Sequence, residues 1–251
     1  MGTAMVGPSV TSRVVAVLAT FTEHNRLLTL SEIARRSGLP LTTTHRLVGE
    51  LAGGGLLERD GDNRYRIGLR LWEIASSAPR SVDLREAAIP FLEDLYEASH
   101  ENVQLAVMDR GEAVYVERLA GRDSVHVVTR PGSRLPLHAT GVGLVLLAHA
   151  SHETQEQVLG APLKRYTCHT VTDPRRLRSM LCDVRRDGYA VSDRQIETIS
   201  VSVAAPIRGP DNQVLAAISI VIDAARGDPR VLVPAVVSAA RGISRRVTAW
   251  R

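Results

Sequence analysis

Two cysteines, Cys168 and Cys182, in 251 residues are too few for a disulfide scaffold and point to a cytosolic, cytoplasmic setting. Aromatic side chains make up only 4% of the chain, which argues against an RNA or single-strand binder built on base stacking. No apolar run reaches the roughly eighteen residues of a membrane helix; the best, Thr140 to Ala150, is about half that, so no membrane partner is expected. Nor does Met1 begin a basic-then-apolar leader, and residues 1–9 read as a short disordered lead. Chemistry-bearing motifs are missing as well: there is no phosphate-binding glycine loop, no zinc-protease helix and no nucleophile elbow. Cys168-His169 with Cys182 lacks the spacing of a closed zinc site, which leaves surface histidines and small core thiols. Asp183, Asp187 and Asp193 read as solvated charge. No catalytic residue, metal or cofactor is expected.

What the chain does have is a 44% hydrophobic fraction, enough for one large domain or two smaller ones. Lys164 is the lone lysine, so positive charge is carried by arginine. Residues 1–72 hold nine arginines against six acids, so +3 of the total +4 falls in that stretch. That imbalance directs attention to the N-terminal part as a candidate polyanion binder.

Val10, Val14, Val17, Leu18 and Phe21 form one stripe of an amphipathic helix. A break at His24-Asn25-Arg26 is followed by a helix-entry signal. Thr29 stands as N-cap with Glu32 as its capping-box partner, and Leu28 and Ile33 occupy staple positions. This helix, Leu30 to Ser37, stops at Gly38, and a third runs from Leu41 to Ala52 after the Leu39-Pro40 turn. Two short helices around a tight glycine-containing turn form a helix-turn-helix pattern.

On the third helix Leu47, Val48 and Leu51 define the buried direction, with Thr44 close to it. Thr42, Arg46 and Gly49 point away, His45 lies beside them and Thr43 is on the flank. Such a strip suits a major-groove reader: arginine donates to guanine edges or phosphates, threonine bonds phosphates or meets a thymine methyl. A solvated polar face is the alternative for that helix alone. The next residues favour DNA. Leu56 to Arg59 and Arg64 to Ile67 are short strands around the turn Asp60-Gly61-Asp62-Asn63, a basic wing whose Arg59, Arg64 and Arg66 can meet phosphates or a minor groove.

Beyond the wing, a connecting helix starts near Leu69 and is interrupted at Pro79. An amphipathic helix through Leu84 to Leu95 follows, kinked or restarted at Pro90. Strands are expected at Val103 to Met108, Ala113 to Leu119, Ser124 to Thr129, Tyr189 to Ser192, Ser200 to Ile207 and Val214 to Val221. Residues 131–134 read as a loop and 140–150 as a buried helix. After an irregular stretch, Asp173-Pro174 opens a helix to Asp187, and a last helix spans Val231 to Trp250. The fold class is α+β with an antiparallel sheet. The domains are a winged helix-turn-helix over 10–71, a linker helix over 72–83 and a second domain over 84–251.

The segments "LTLSEIARRSGLPLTTTHRLVGEL" (28–51), "YRIGLRL" (65–71), "PGSRLPLHATGVGLVLLA" (131–148), "RRDGYAVSD" (185–193) and "VAAPIRGPDNQVLAAISI" (203–220) together resemble the IclR family of bacterial transcriptional regulators. The resemblance implies a GAF-like effector-binding C-terminal domain and a homodimer or dimer of dimers on a palindromic double-stranded operator. It also implies a repressor or activator whose output is changed by a small organic effector, often a carboxylate or aromatic catabolite. By the same resemblance Gly141 and Val142 offer backbone amides to a ligand carboxylate, and Ser202 and Ser219 occupy polar pocket positions. Either Ser192 or Asp193 lines the pocket. Leu144, Ile199 and Val221 depart from the family pattern toward apolar side chains, which points to a larger, partly apolar ligand. The rival readings are a metabolite-converting enzyme tethered to DNA and a DNA-binding protein that responds to no ligand.

Overall fold

The computed structural model describes residues 9–22, 24–77, 79–226 and 228–248. Residues 1–8 of the expected lead and Ala249 to Trp250 of the expected last helix lie outside them. The chain divides into two compact units, Met1–Pro79 and Arg80–Arg251.

The N-terminal unit contains α1 (Val10–Leu18), β1 (Leu28–Thr29), α2 (Leu30–Ser37), α3 (Leu41–Gly53), β2 (Leu57–Arg59), β3 (Arg64–Ile67) and α4 (Leu69–Ser76). Both halves of the capping box form: Thr29 Oγ1 accepts from the Glu32 amide, and Glu32 Oε2 accepts from the Thr29 amide at 2.8 Å. Gly38 ends α2 at φ 70°, a left-handed conformation that favours glycine. In the β2–β3 turn, Asp60 Oδ1 accepts from the amides of Asp62 and Arg64 at 3.0 and 2.8 Å. The sheet has order β1-β3-β2; its first strand is only two residues long, too short to leave a periodic trace in sequence. Val17, Ile33, Leu47, Val48, Leu51, Leu57 and Tyr65 close one small core.

The C-terminal unit contains α5 (Pro79–Ser99), β4 (Asn102–Asp109), β5 (Glu112–Leu119), β6 (Arg134–Pro136), α6 (Gly141–Ala148), α7 (His152–Gly160), α8 (Pro174–Asp187), β7 (Ala190–Asp193), β8 (Ser200–Arg208), β9 (Val214–Asp223), a 3-10 turn (Pro229–Leu232) and α9 (Val233–Thr248). The strands form one antiparallel sheet in the order β6-β5-β4-β9-β8-β7. α5 runs through Pro90 without restarting.

Three expectations are corrected. Residues 124–129 are not a strand: their carbonyls are taken by side chains, Val125 O by Asn102 Nδ2 (2.7 Å) and Thr129 O by Arg118 Nη1 (2.9 Å), and the sixth strand is residues 134–136 instead. α7 forms within the supposedly irregular stretch, opened by the Ser151 hydroxyl accepting from the Thr154 amide; it buries only Leu159, so it carries little amphipathic signal. Cys168 and Cys182 are exposed rather than core thiols.

The two faces of the large sheet differ in side-chain size. Toward α5 and α9 point Val103, Leu105, Val203, Ile218 and Ile220, packed on Leu92, Val236 and Ile243. Toward α6 and α8 point Ala106, Ala190, Ala204 and Ala217, with Leu144, Leu147, Leu177 and Leu181 above them. The strand period of two separates these sets. Every residue of α6 is buried. Its end is pinned by His149, whose Nδ1 contacts Val145 O and whose Nε2 lies 3.0 Å from Arg208 Nη2. Because Arg208 can only donate, the imidazole is neutral, with its proton on Nδ1.

Two stability effects follow. Thr29→Ala removes the cap at α2 and is expected to cost about 1 kcal/mol, read from the denaturation midpoint of the N-terminal unit. Burial first, and the Arg208 and Arg185 charges after it, hold His149 below the ordinary imidazole value of 6.5, opposed by the Val145 carbonyl. Burial does the same to His138 against the Lys164 carbonyl. A depressed imidazole contributes stability that is complete above its unfolded value and lost as pH falls below it. Denaturant midpoints are therefore expected to fall between about pH 7 and about pH 5.5, with a shallower fall in His149→Gln.

Candidate DNA-reading surface and effector cavity

α3 turns Leu47, Val48 and Leu51 into the core, which leaves Thr42, His45 and Arg46 exposed and Thr43 half-buried. Thr44 is fully buried, and its hydroxyl donates to Pro40 O at 3.1 Å. Pro40 is the N-cap and supplies no side-chain hydrogen bond. The first amides of α3 are thus available to a phosphate, at the positive end of the helix dipole. Arg46 reaches back one turn to Glu50 Oε1 at 2.7 Å, with both side chains more than half exposed. An exposed pair of this kind is weak and readily exchanged for a phosphate or base edge.

The wing arginines sit in three environments. Arg59 lies 5.8 Å from the centre of the Tyr65 ring. Arg66 pairs with Glu58 at 2.9 Å. The Glu58 carboxyl is held below its ordinary range first by the Leu69 amide and then by Arg66, so this acid fastens β2 to the start of α4. Arg64 is exposed beside the turn.

In the C-terminal unit the small inner face of the sheet leaves a cavity under the first turn of α6. The cavity is small, about 40 Å³ in volume. Gly141, Val142, Ser192, Ser202 and Ser219 all line it. Strand register accounts for the convergence of the serines, since Ser192 pairs with Ser202 and Ser202 with Val221, while Ser219 pairs with Gln104. Asp193 does not belong to this set. One residue along β7 it faces the other way, exposed, its carboxylate bound by Arg194 Nε at 2.8 Å and Nη2 at 2.9 Å. Of the three apolar departures only Val221 lines the cavity; Leu144 is core and Ile199 is exposed.

The polar groups of the cavity divide into spent and unspent. Ser192 Oγ donates to Ala139 O at 2.9 Å, and Gln104 Nε2 donates to Thr129 Oγ1 at 2.6 Å. Thr140 caps α6: its hydroxyl takes the Gly143 amide at 3.1 Å and its carbonyl the Leu144 amide at 2.8 Å. The amides of Gly141 and Val142, and the hydroxyls of Ser202 and Ser219, have no protein partner among the described residues. A Cβ on Gly141 would stand 2.6 Å from Ser202 Oγ, so a larger residue here must displace that hydroxyl. Tyr115 is buried in the same lining as Thr140, and burial pushes its phenol well above the ordinary range. The lining includes no arginine, lysine or histidine side chain.

Tyr115, Gln104, Thr129, Gln195 and Glu197 also line the cavity and were not singled out from sequence. Gln104 leaves one signal, an amide within the apolar run Val103 to Met108. The others come from loops or from positions that read as ordinary strand residues.

Among the described residues no group of histidine, cysteine and acidic side chains is arranged to hold a metal ion, and no helix is long and apolar enough to cross a membrane. The model of the IclR helix-turn-helix domain matches residues 10–61, and that of the bacterial transcriptional regulator IclR C-terminal domain matches residues 77–246. The HTH-type transcriptional regulator KipR of Bacillus subtilis is 34% identical over 89% of this chain and 91% of its own. The transcriptional repressor IclR of Escherichia coli is 31% identical over 83% and 78%. An IclR homologue from Microbacterium hydrocarbonoxydans, crystallised with 4-hydroxybenzoate, superposes with a TM-score of 0.92 at 39% identity, covering 95% of this chain and 99% of its own. The helix-turn-helix and the capped cavity thus fall within matched regions, and the chain belongs to the IclR family of DNA-binding bacterial transcriptional regulators that sense small molecules.

Proposed function

We propose that Thr42, Thr43, His45 and Arg46 read operator bases from the major groove while Arg59, Arg64 and Arg66 hold the flanking backbone. The exposed strip on an otherwise core-bound helix supports this reading. A homodimer, or a dimer of dimers, places two such heads on a palindromic operator in the cytoplasm. Leu69, Trp72 and Ile74 of α4, each more than half exposed, supply an apolar surface of the kind that a second copy covers. The winged helix-turn-helix over 10–71 and a linker over 72–83 carry this half of the function.

The domain over 84–251 is the sensor. The observation that carries this reading is the pair of unspent amides at Gly141 and Val142, facing a small cavity with no cationic side chain. Such a site takes one carboxylate on neutral donors, with Ser202, Ser219 and the backbone of the first turn around it. The small volume favours a compact ligand and the Tyr115, Val142 and Val221 walls a partly apolar one, so we take the effector class to be a small aromatic monocarboxylate. The related regulator bound to 4-hydroxybenzoate agrees with that class. Ligand alters transcription by preferring one arrangement of the paired heads, and a coupling of about 1–3 kcal/mol changes operator affinity about 5- to 150-fold.

Two variants test the two halves. Arg46→Ala is expected to lose about 1–3 kcal/mol of sequence-specific operator affinity in a gel-shift titration, with non-specific binding much less affected. Wild-type affinity would remove Arg46 from the reading set. Gly141→Ala is expected to abolish the thermal shift that benzoate or 4-hydroxybenzoate gives the wild type, while operator affinity without ligand is retained. Unchanged ligand binding in that variant would move the effector site elsewhere.

A further inference from the structure

Glu197 is the only carboxyl side chain lining the cavity. It lies in the short connection between β7 and β8, half-buried, and shares the cavity lining with Val127 and Val128 of the 124–129 loop. Each loop is itself fastened. Arg118 and Asn102 hold the carbonyls of Thr129 and Val125; Thr167 and Thr170 each donate to a carbonyl of the 194–195 segment at 2.6 Å. The backbone that carries the acid is therefore fixed beside the cavity.

We propose that Glu197 sets the specificity of the effector site, accepting monocarboxylates whose second end donates a hydrogen bond and rejecting dicarboxylates. The inference rests on the placement of a ligand carboxylate at Gly141 and Val142. Both that turn and Glu197 line the same small cavity, so a ligand bound at the turn lies beside Glu197. A hydroxyl or amide at the second end satisfies the Glu197 oxygens. A second carboxylate there finds no arginine, lysine or histidine in the lining to pair with; the His126 and Arg118 charges act on Glu197 from outside the lining and do not outweigh its burial, so either the ligand or Glu197 must take up a proton. Burial already pushes the Glu197 carboxyl above its ordinary range, against the Val128 amide and the His126 and Arg118 charges, so a second negative charge compounds an existing strain.

The test uses terephthalate and 4-carbamoylbenzoate, which share a shape and differ in whether the second end is an anion or a donor-bearing amide, with benzoate as reference. In calorimetric titrations of the full chain, 4-carbamoylbenzoate is expected to bind at least about tenfold more tightly than terephthalate. Glu197→Gln keeps the size of the side chain and an acceptor oxygen while removing its charge, and is expected to bring the two within about threefold, through tighter terephthalate binding. Equal affinities in the wild type would overturn the inference without any variant. So would an unchanged ratio in a Glu197→Gln protein that melts like the wild type, or a ratio that closes only through weaker amide binding. If benzoate binds and the pair is not distinguished, the carboxylate site stands and Glu197 is not its specificity residue. If none of the three binds, the carboxylate reading falls and this inference with it.

Discussion

The close seating of the first turn of α6 on β8 is the constraint on which the C-terminal unit depends. Gly141 sits where a single added carbon would collide with the Ser202 hydroxyl, and Gly143 sits where one would meet Thr140 Oγ1 at 2.4 Å and Leu137 O at 2.5 Å. With both positions reduced to backbone, the Thr140 cap can fold back over the turn and α6 can sink until all eight of its residues are buried. The same contact aims two amides at the sheet instead of at solvent. A helix start exposed to water has its amides hydrated; this one has them inside protein, where an unmet donor is costly and a matching acceptor correspondingly favourable.

Side-chain size on the sheet supplies the room. Larger aliphatic residues pack the face toward α5 and α9. Alanine, serine and Gln104 on the opposite face leave space beneath α6 that no neighbour occupies. Unfilled space and unpaired hydroxyls at Ser202 and Ser219 both lower the stability of the free protein. A ligand that fills the first and pairs the second stabilises the fold by mass action, so sensing and stabilisation share one origin.

Legibility from sequence followed the range of the interactions. Local signals were fully readable: the Thr29–Glu32 capping box, the Gly38 stop and the Asp60–Asn63 turn are each decided within a few residues. Signals that need a partner strand were only half readable. Sequence left Ser192 and Asp193 as alternatives because strand alternation states that neighbours face opposite ways but not which way is inward; pairing with Ser202 decides it. Residues 124–129 look like a strand because they are β-branched, yet Asn102 and Arg118, distant in sequence, claim the carbonyls a ladder would need. Glu197 and Tyr115 gave no sign, since a loop acid and an alternating tyrosine are ordinary until a cavity is known to lie beside them. The residues that resemblance carried over, Gly141, Val142, Ser202 and Ser219, lie together around that cavity, which neither periodicity nor spacing would have assembled.

Alternation along β8 and β9 also determines how occupancy can be felt outside the cavity. Ser202 faces the cavity and its neighbour Val203 packs in the cluster that holds α5; Ser219 and Ile218 are divided in the same way. A displacement of either strand by ligand therefore cannot be confined to one side of the sheet, because adjacent residues share a backbone and the far side is close-packed. α5 receives that displacement through Leu92 and Ala88, and it is the helix that follows α4 in the chain. Sensing requires a ligand that moves β8 or β9 and not merely one that fits, since equal fit to both arrangements shifts no equilibrium.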